Sequence, residues 1–97
     1  MRVHDKVIVT RHHTLVKHII ELGLAGEETP VMEHVTHADI RGKHVIGVLP
    51  MHLACVASMV TEIPIRLPPE LRGNDLGTYE IGQFCGEPQT YVVKKIR

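Results

Sequence analysis

Lys6-Val7-Ile8-Val9-Thr10-Arg11-His12-His13 is an apolar run that ends in three basic side chains. Consecutive β-branched residues of this kind are typical of a buried strand. A helical pattern begins directly after the basic residues. Strand, short polar turn and helix is the arrangement by which open α/β sheets build ligand sites at the carboxyl ends of their strands. We therefore expect the rest of the chain to support this turn.

The remaining hydrophobic patterns predict alternating strands and helices. Strands are predicted over residues 6–10, 31–35, 44–49, 61–67 and 90–96. Helices are predicted from Thr14, as a possible N-cap, to Gly23, over residues 51–59 and, weakly, over 76–84. Alternation of this kind favours an α/β sandwich with a mostly parallel central sheet. We expect one domain over residues 1–97, because the chain has the length of a single domain.

Composition excludes several classes of protein. The 11 basic and 11 acidic residues balance, whereas proteins that bind long nucleic acid are usually more basic; a small anionic ligand needs only a local basic pocket. No apolar run reaches the roughly 18 residues of a membrane span, and the N-terminus lacks the apolar core of a signal peptide. Cys55 and Cys85 are isolated, which is typical of reduced thiols. A cytoplasmic protein without membrane partners is expected.

The turn after the first strand is the leading candidate site. Arg11 offers a planar fork of donors suited to phosphate, and His12 can serve as acid, base or nucleophile. Right-handed crossovers would bring Thr10 to the same sheet edge as Leu49-Pro50. Gly47, inside a predicted strand, indicates the close approach of a ligand or another backbone. The alternative is that the basic side chains are merely solvated.

Further candidates carry less specific signals. His52, in the first turn of a predicted helix, is a candidate general base, although a histidine beside the core fits equally well. Glu70 and Arg72 form either an exposed loop pair of small energetic value or, through Arg72, a second phosphate contact. Arg11-His12 after a strand also resembles the Arg-His-Gly opening of histidine phosphatases, in which the histidine takes a phosphoryl group, although this chain is shorter and has His13 in place of the glycine. The remaining possibility is a metal site formed by His34, His37 and Asp39.

Three motifs together resemble a small CRISPR-associated family, the Csx-sixteen family of type III systems. They are Val-Thr-Arg-His at 9–12, Gly-Lys-His-Val-Ile-Gly-Val-Leu-Pro-Met-His-Leu-Ala at 42–54 and Leu-Pro-Pro-Glu-Leu-Arg-Gly-Asn-Asp-Leu at 67–76. The similarity covers about residues 6–84. It implies a compact Rossmann-like fold related to CARF domains, a homodimer, and binding and cleavage of cyclic oligoadenylate, with the tetra-adenylate ring as the expected ligand. Such a ring nuclease would end antiviral signalling.

Cleavage of RNA-type linkages can proceed without metal or cofactor, because a ribose 2′-hydroxyl can attack its own phosphate, and we expect this mechanism here. Arg11 and Arg72 would contact phosphate, and His12 and His52 would move protons or position the hydroxyl. The other expected ligand contacts are Thr10, Gly47, Leu49, Pro50 and Glu70. Competing interpretations are a protein that sequesters the ring without cutting it, a scaffold without a ligand, and the phosphatase.

Overall fold

A computed structural model describes residues 5–66 and 83–97 of the chain. Glu70 and Arg72, and most of the predicted helix over 76–84, lie outside the described residues. Among those described, the strands are Lys6–Val9 (β1), Val31–Met32 (β2), His44–Gly47 (β3), Met59–Glu62 (β4) and Gln89–Tyr91 (β5). The helices are His13–Glu21 (α1), His37–Ile40 (α2) and Met51–Ala54 (α3).

The strands form a single five-stranded sheet in the order β2-β1-β3-β4-β5. The pairs β1–β2, β1–β3 and β3–β4 are parallel. The last strand, β5, runs antiparallel to β4. The predicted α/β class with a mostly parallel sheet is therefore confirmed, with a mixed edge.

Both faces of the sheet are covered, because successive side chains of a strand point to opposite sides. Val7 and Val9 of β1 belong to a cluster with Ile40 of α2 and Ala54 of α3. Ile8 belongs to a second cluster, with Leu15 and Ile19 of α1. The helix α1 therefore covers one face, whereas α2 and α3 cover the other.

A chain of polar side chains crosses the α1 face of the sheet. The ring nitrogen Nε2 of His44 lies 2.6 Å from Oγ1 of Thr61, which lies 2.8 Å from Oγ1 of Thr90. Thr61 is only 2% exposed. A buried hydroxyl needs partners of this kind, and this one links the strands β3, β4 and β5.

The helix predicted over 51–59 and the strand predicted over 61–67 are both displaced. The helix α3 ends at Ala54, and β4 already begins at Met59. The amide of Ser58 donates to the carbonyl of Lys43 at 2.8 Å, which brings the chain beside β3 after a single helical turn. Pro64 has no amide hydrogen for a ladder, and the strand ends before it.

The segment 36–43, predicted as a polar turn, contains the helix α2. Its start is held by the carboxylate of Asp39, whose Oδ2 accepts from the amide of Thr36 at 2.7 Å and from the hydroxyl of the same residue at 3.1 Å. The Thr-x-x-Asp spacing resembles a capping box with a shorter acid. The sequence signal for this short helix was therefore present.

Candidate active site

The turn after β1 is held by the side chain and the backbone of Thr10. The amide of His12 donates to Thr10 Oγ1 at 3.1 Å, and the amide of Thr10 donates to the carbonyl of Met32 at 3.0 Å. The helix α1 begins at His13, with His12 as its N-cap residue in an extended conformation. The N-cap predicted at Thr14 is therefore wrong by two residues. Arg11 and His12 are exposed at the start of the helix.

Gly47 allows β1 and β3 to approach closely at their carboxyl ends. Its φ is +146°, and a Cβ atom there would lie 2.1 Å from the carbonyl oxygen of Val9. An L side chain rarely adopts such a φ, and no side chain fits at such a distance. The close approach that the glycine indicated is therefore that of the neighbouring backbone.

A crevice opens where these two central strands end. The chain leaves β1 through α1 toward β2, and it leaves β3 through α3 toward β4, on opposite faces of the sheet. Open α/β sheets bind ligands at such a reversal of direction. Here it holds a cleft of about 700 Å³. Residues of the predicted site that line this cleft are Thr10, Arg11, His12 and Gly47.

The cleft is lined by basic, acidic and apolar side chains. Arg11 and His12 are exposed there, whereas Leu15 of α1 is buried. Glu33, directly after β2, and Glu62, the last residue of β4, also line it. A ligand that presents both phosphate oxygens and hydrogen-bond donors suits this mixed lining.

Sequence reasoning missed the two glutamates, although the rule that selected the basic turn could have found them. Glu33 and Glu62 stand at the carboxyl ends of β2 and β4, as Thr10 does for β1. The signal was hidden because the predicted strand bounds were inaccurate. The sequence pattern predicts a second strand over residues 31–35 and an edge strand from 61, whereas the structure has Val31–Met32 and Met59–Glu62.

The structure does not bring His52 into this cleft. Since α3 packs on the sheet face opposite α1, His52 lines a separate groove, where its ring lies 6.2 Å from that of His37, edge to face. Leu49 lines a third, mostly apolar groove of about 290 Å³ that shares Gly47, Val48 and Glu62 with the cleft. Pro50 is the N-cap residue of α3. The composite pocket predicted around His12 and His52 is therefore divided within one protomer.

Potential metal ligands do not gather in the described part of the chain. Across residues 5–66 and 83–97, no three histidine, cysteine, aspartate or glutamate side chains converge as a metal ion would require. This includes His34, His37 and Asp39, of which Asp39 already accepts two hydrogen bonds from Thr36. Within the same ranges no helix is long and apolar enough to cross a membrane.

The fold and the cleft define a small α/β protein with a polar site at the carboxyl edge of a mostly parallel sheet. Residues 7–94 match the family described as Putative CRISPR-associated protein (Cas_VVA1548). The match takes in nearly the whole chain, and the protein belongs to this CRISPR-associated family. Comparisons with curated proteins and with solved structures gave no match.

Proposed function

We propose that the protein is a ring nuclease of type III CRISPR defence that binds cyclic oligoadenylate in the cleft and cleaves it. One observation supports this above the others. In a chain of a CRISPR-associated family, Arg11 and His12 lie on the lip of a cleft at the β1–β3 reversal. The strand order through β4 is that of doubly wound sheets, which supports a Rossmann-like, CARF-related fold. The match to a CRISPR-associated family, together with the three sequence motifs, supports the more specific assignment to the Csx-sixteen family.

The reaction requires a cation beside the phosphate and a residue that transfers protons. The 2′-oxygen of a ribose forms a bond to the adjacent phosphorus, and the bond from phosphorus to the 5′-oxygen breaks. The 2′-hydroxyl loses a proton and the 5′-oxygen gains one, leaving a 2′,3′-cyclic phosphate and a 5′-hydroxyl. Arg11 stabilises charge on the phosphate, and His12 transfers a proton or positions the hydroxyl. Glu62, half-buried in the cleft, accepts from ribose hydroxyl or adenine amino groups.

The size of the cleft supports a homodimer as the functional unit. Its volume of about 700 Å³ is that of a pocket for one small molecule. A cyclic tetranucleotide is larger, because it contains four copies of the same nucleotide. A two-fold dimer would offer two copies of the cleft to that ring. The role predicted for His52 requires such a dimer to bring α3 of one protomer to the cleft of the other.

Incubation of the protein with cyclic tetra-adenylate in the presence of EDTA tests the proposal. Mass spectrometry should detect linear product with a terminal cyclic phosphate. His12→Ala should slow cleavage roughly 100-fold or more with little loss of binding, whereas Arg11→Ala should weaken binding roughly 10- to 100-fold.

His13→Ala is the matched control, because His13 is exposed in the same segment and does not line the cleft. This variant should cleave as the wild type does. An intact ring bound tightly would show sequestration instead of cleavage. Absence of ring binding would refute both functions, and normal cleavage by His12→Ala would refute the residue's assigned role.

A further inference from the structure

We propose that a second groove, across the sheet from the cleft, binds the phosphates of a short single-stranded oligoribonucleotide. We call it the basic groove. Its volume is about 560 Å³. Its charged and titratable lining residues are His37, Arg41, His52, Cys55, Lys94 and Lys95. Within one protomer the groove lies on the α3 face of the sheet, opposite α1, and shares no described lining residue with the cleft.

Among its described lining residues, the basic groove gathers cationic side chains without acidic ones. The whole chain carries equal numbers of acidic and basic residues, yet no carboxylate is among the described residues that line the groove. Arg41, Lys94 and Lys95 are all exposed there. Asp39, the acid nearest to Arg41 along the chain, already accepts two hydrogen bonds from Thr36. Like charges held together in this way repel one another and attract a polyanion.

Apolar side chains beside the cations favour a nucleotide over a simple anion. Met51 lines the groove and is 76% exposed. Met51 and Val93 also line the adjoining, mostly apolar groove, which contains Tyr91, 50% exposed, and one acidic residue, Glu62. A cationic track beside an exposed aromatic ring is the arrangement by which proteins hold single strands, since the bases stack while the phosphates pair.

The number of cations limits the ligand to a short segment. Three permanent charges neutralise about three phosphates, which for a single strand predicts a slope of log affinity against log salt near −2. Affinity should then fall about 20-fold between 50 and 200 mM salt. A long nucleic acid would gain little more, because the rest of the chain balances this charge.

Fluorescence anisotropy with the full chain and fluorescein-labelled hexa-uridylate RNA tests this site. Uridylate is chosen so that recognition of adenine in the cleft does not contribute. The double variant Lys94→Ala/Lys95→Ala should bind the RNA at least 10-fold more weakly than the wild type at 50 mM salt. Between 50 and 200 mM salt, the affinity of this variant should fall only about 3-fold. Lys17→Ala, which removes an exposed cation of α1, is the matched control and should bind as the wild type does.

Two further variants separate the basic groove from the cleft and from simple anion binding. Arg11→Ala should bind hexa-uridylate normally even if it no longer binds cyclic tetra-adenylate. Tyr91→Phe should bind normally, whereas Tyr91→Ala should lose about 5-fold or more. Unchanged binding by the double lysine variant, or loss of binding by Arg11→Ala, would overturn the proposal. The proposal would also be overturned if inorganic tripolyphosphate, which has no bases, displaced the labelled RNA as well as unlabelled hexa-uridylate does.

Discussion

Replacing Gly47 by alanine should cost more stability than any comparable glycine substitution in the described chain. The new Cβ atom would lie 2.1 Å from the carbonyl oxygen of Val9 and 3.0 Å from its carbonyl carbon. Both atoms are backbone, so β1 and β3 must separate at their carboxyl ends. Overpacking of this kind costs about 1–3 kcal/mol, and a non-glycine residue at a φ of +146° adds about 1–3 kcal/mol.

The sum is about 2–6 kcal/mol, a large part of the roughly 5–15 kcal/mol by which a domain of this size is stable. Thermal unfolding followed by circular dichroism should show a fall in Tm of at least ~10 °C. Gly23→Ala is the matched control, since Gly23 also has a positive φ (+78°) but a Cβ there meets nothing within 4 Å. It should lose only about 1–2 kcal/mol, from the φ alone. If Gly47→Ala melts no lower than Gly23→Ala, the close backbone approach does not govern stability.

Two other predictions concern polar groups that are fully or partly buried, Thr61 and Cys85. Thr61→Val keeps the shape of the side chain but removes the hydroxyl that joins His44 to Thr90. It should lower the free energy of unfolding, measured in urea, by about 1–3 kcal/mol. Thr90→Val, at an exposed position, should lower it less, and equal losses would argue against the role of burial. Burial raises the pKa of the Cys85 thiol, so less of it is thiolate at neutral pH. Iodoacetamide should therefore label Cys85 more slowly than Cys55, at a rate that rises with pH, as measured by peptide mass spectrometry. Faster labelling of Cys85 would contradict this.

The sheet could be predicted from sequence because its central strands are short apolar runs. Val7-Ile8-Val9 and Val45-Ile46 are buried on both faces, and burial on both faces makes a run apolar without alternation. The end of α3 could not be predicted in this way. Residues 55–60 are as compatible with a helix as with a turn and a strand, and tertiary hydrogen bonds such as that from Ser58 to Lys43 decide between them.

The site shows the same division between local and distant information. Thr10, Arg11 and His12 are adjacent in sequence, so their common place at the end of β1 could be predicted from one motif. His52 also follows a predicted strand, but which face a short helix covers depends on the direction of the crossover. That direction placed it beside His37, on the side away from Arg11.

The strand order has a consequence for how the chain acquires its structure. Two strands at the centre of the sheet pair with each other but are far apart along the chain; they are Lys6–Val9 and His44–Gly47. A polypeptide that grows from its N-terminus therefore carries β1 with its inner edge open until β3 has been synthesised. Folding must close this long loop before the sheet gains its largest ladder, which slows the search. An N-terminal fragment that ends before residue 44 would expose that edge to other chains.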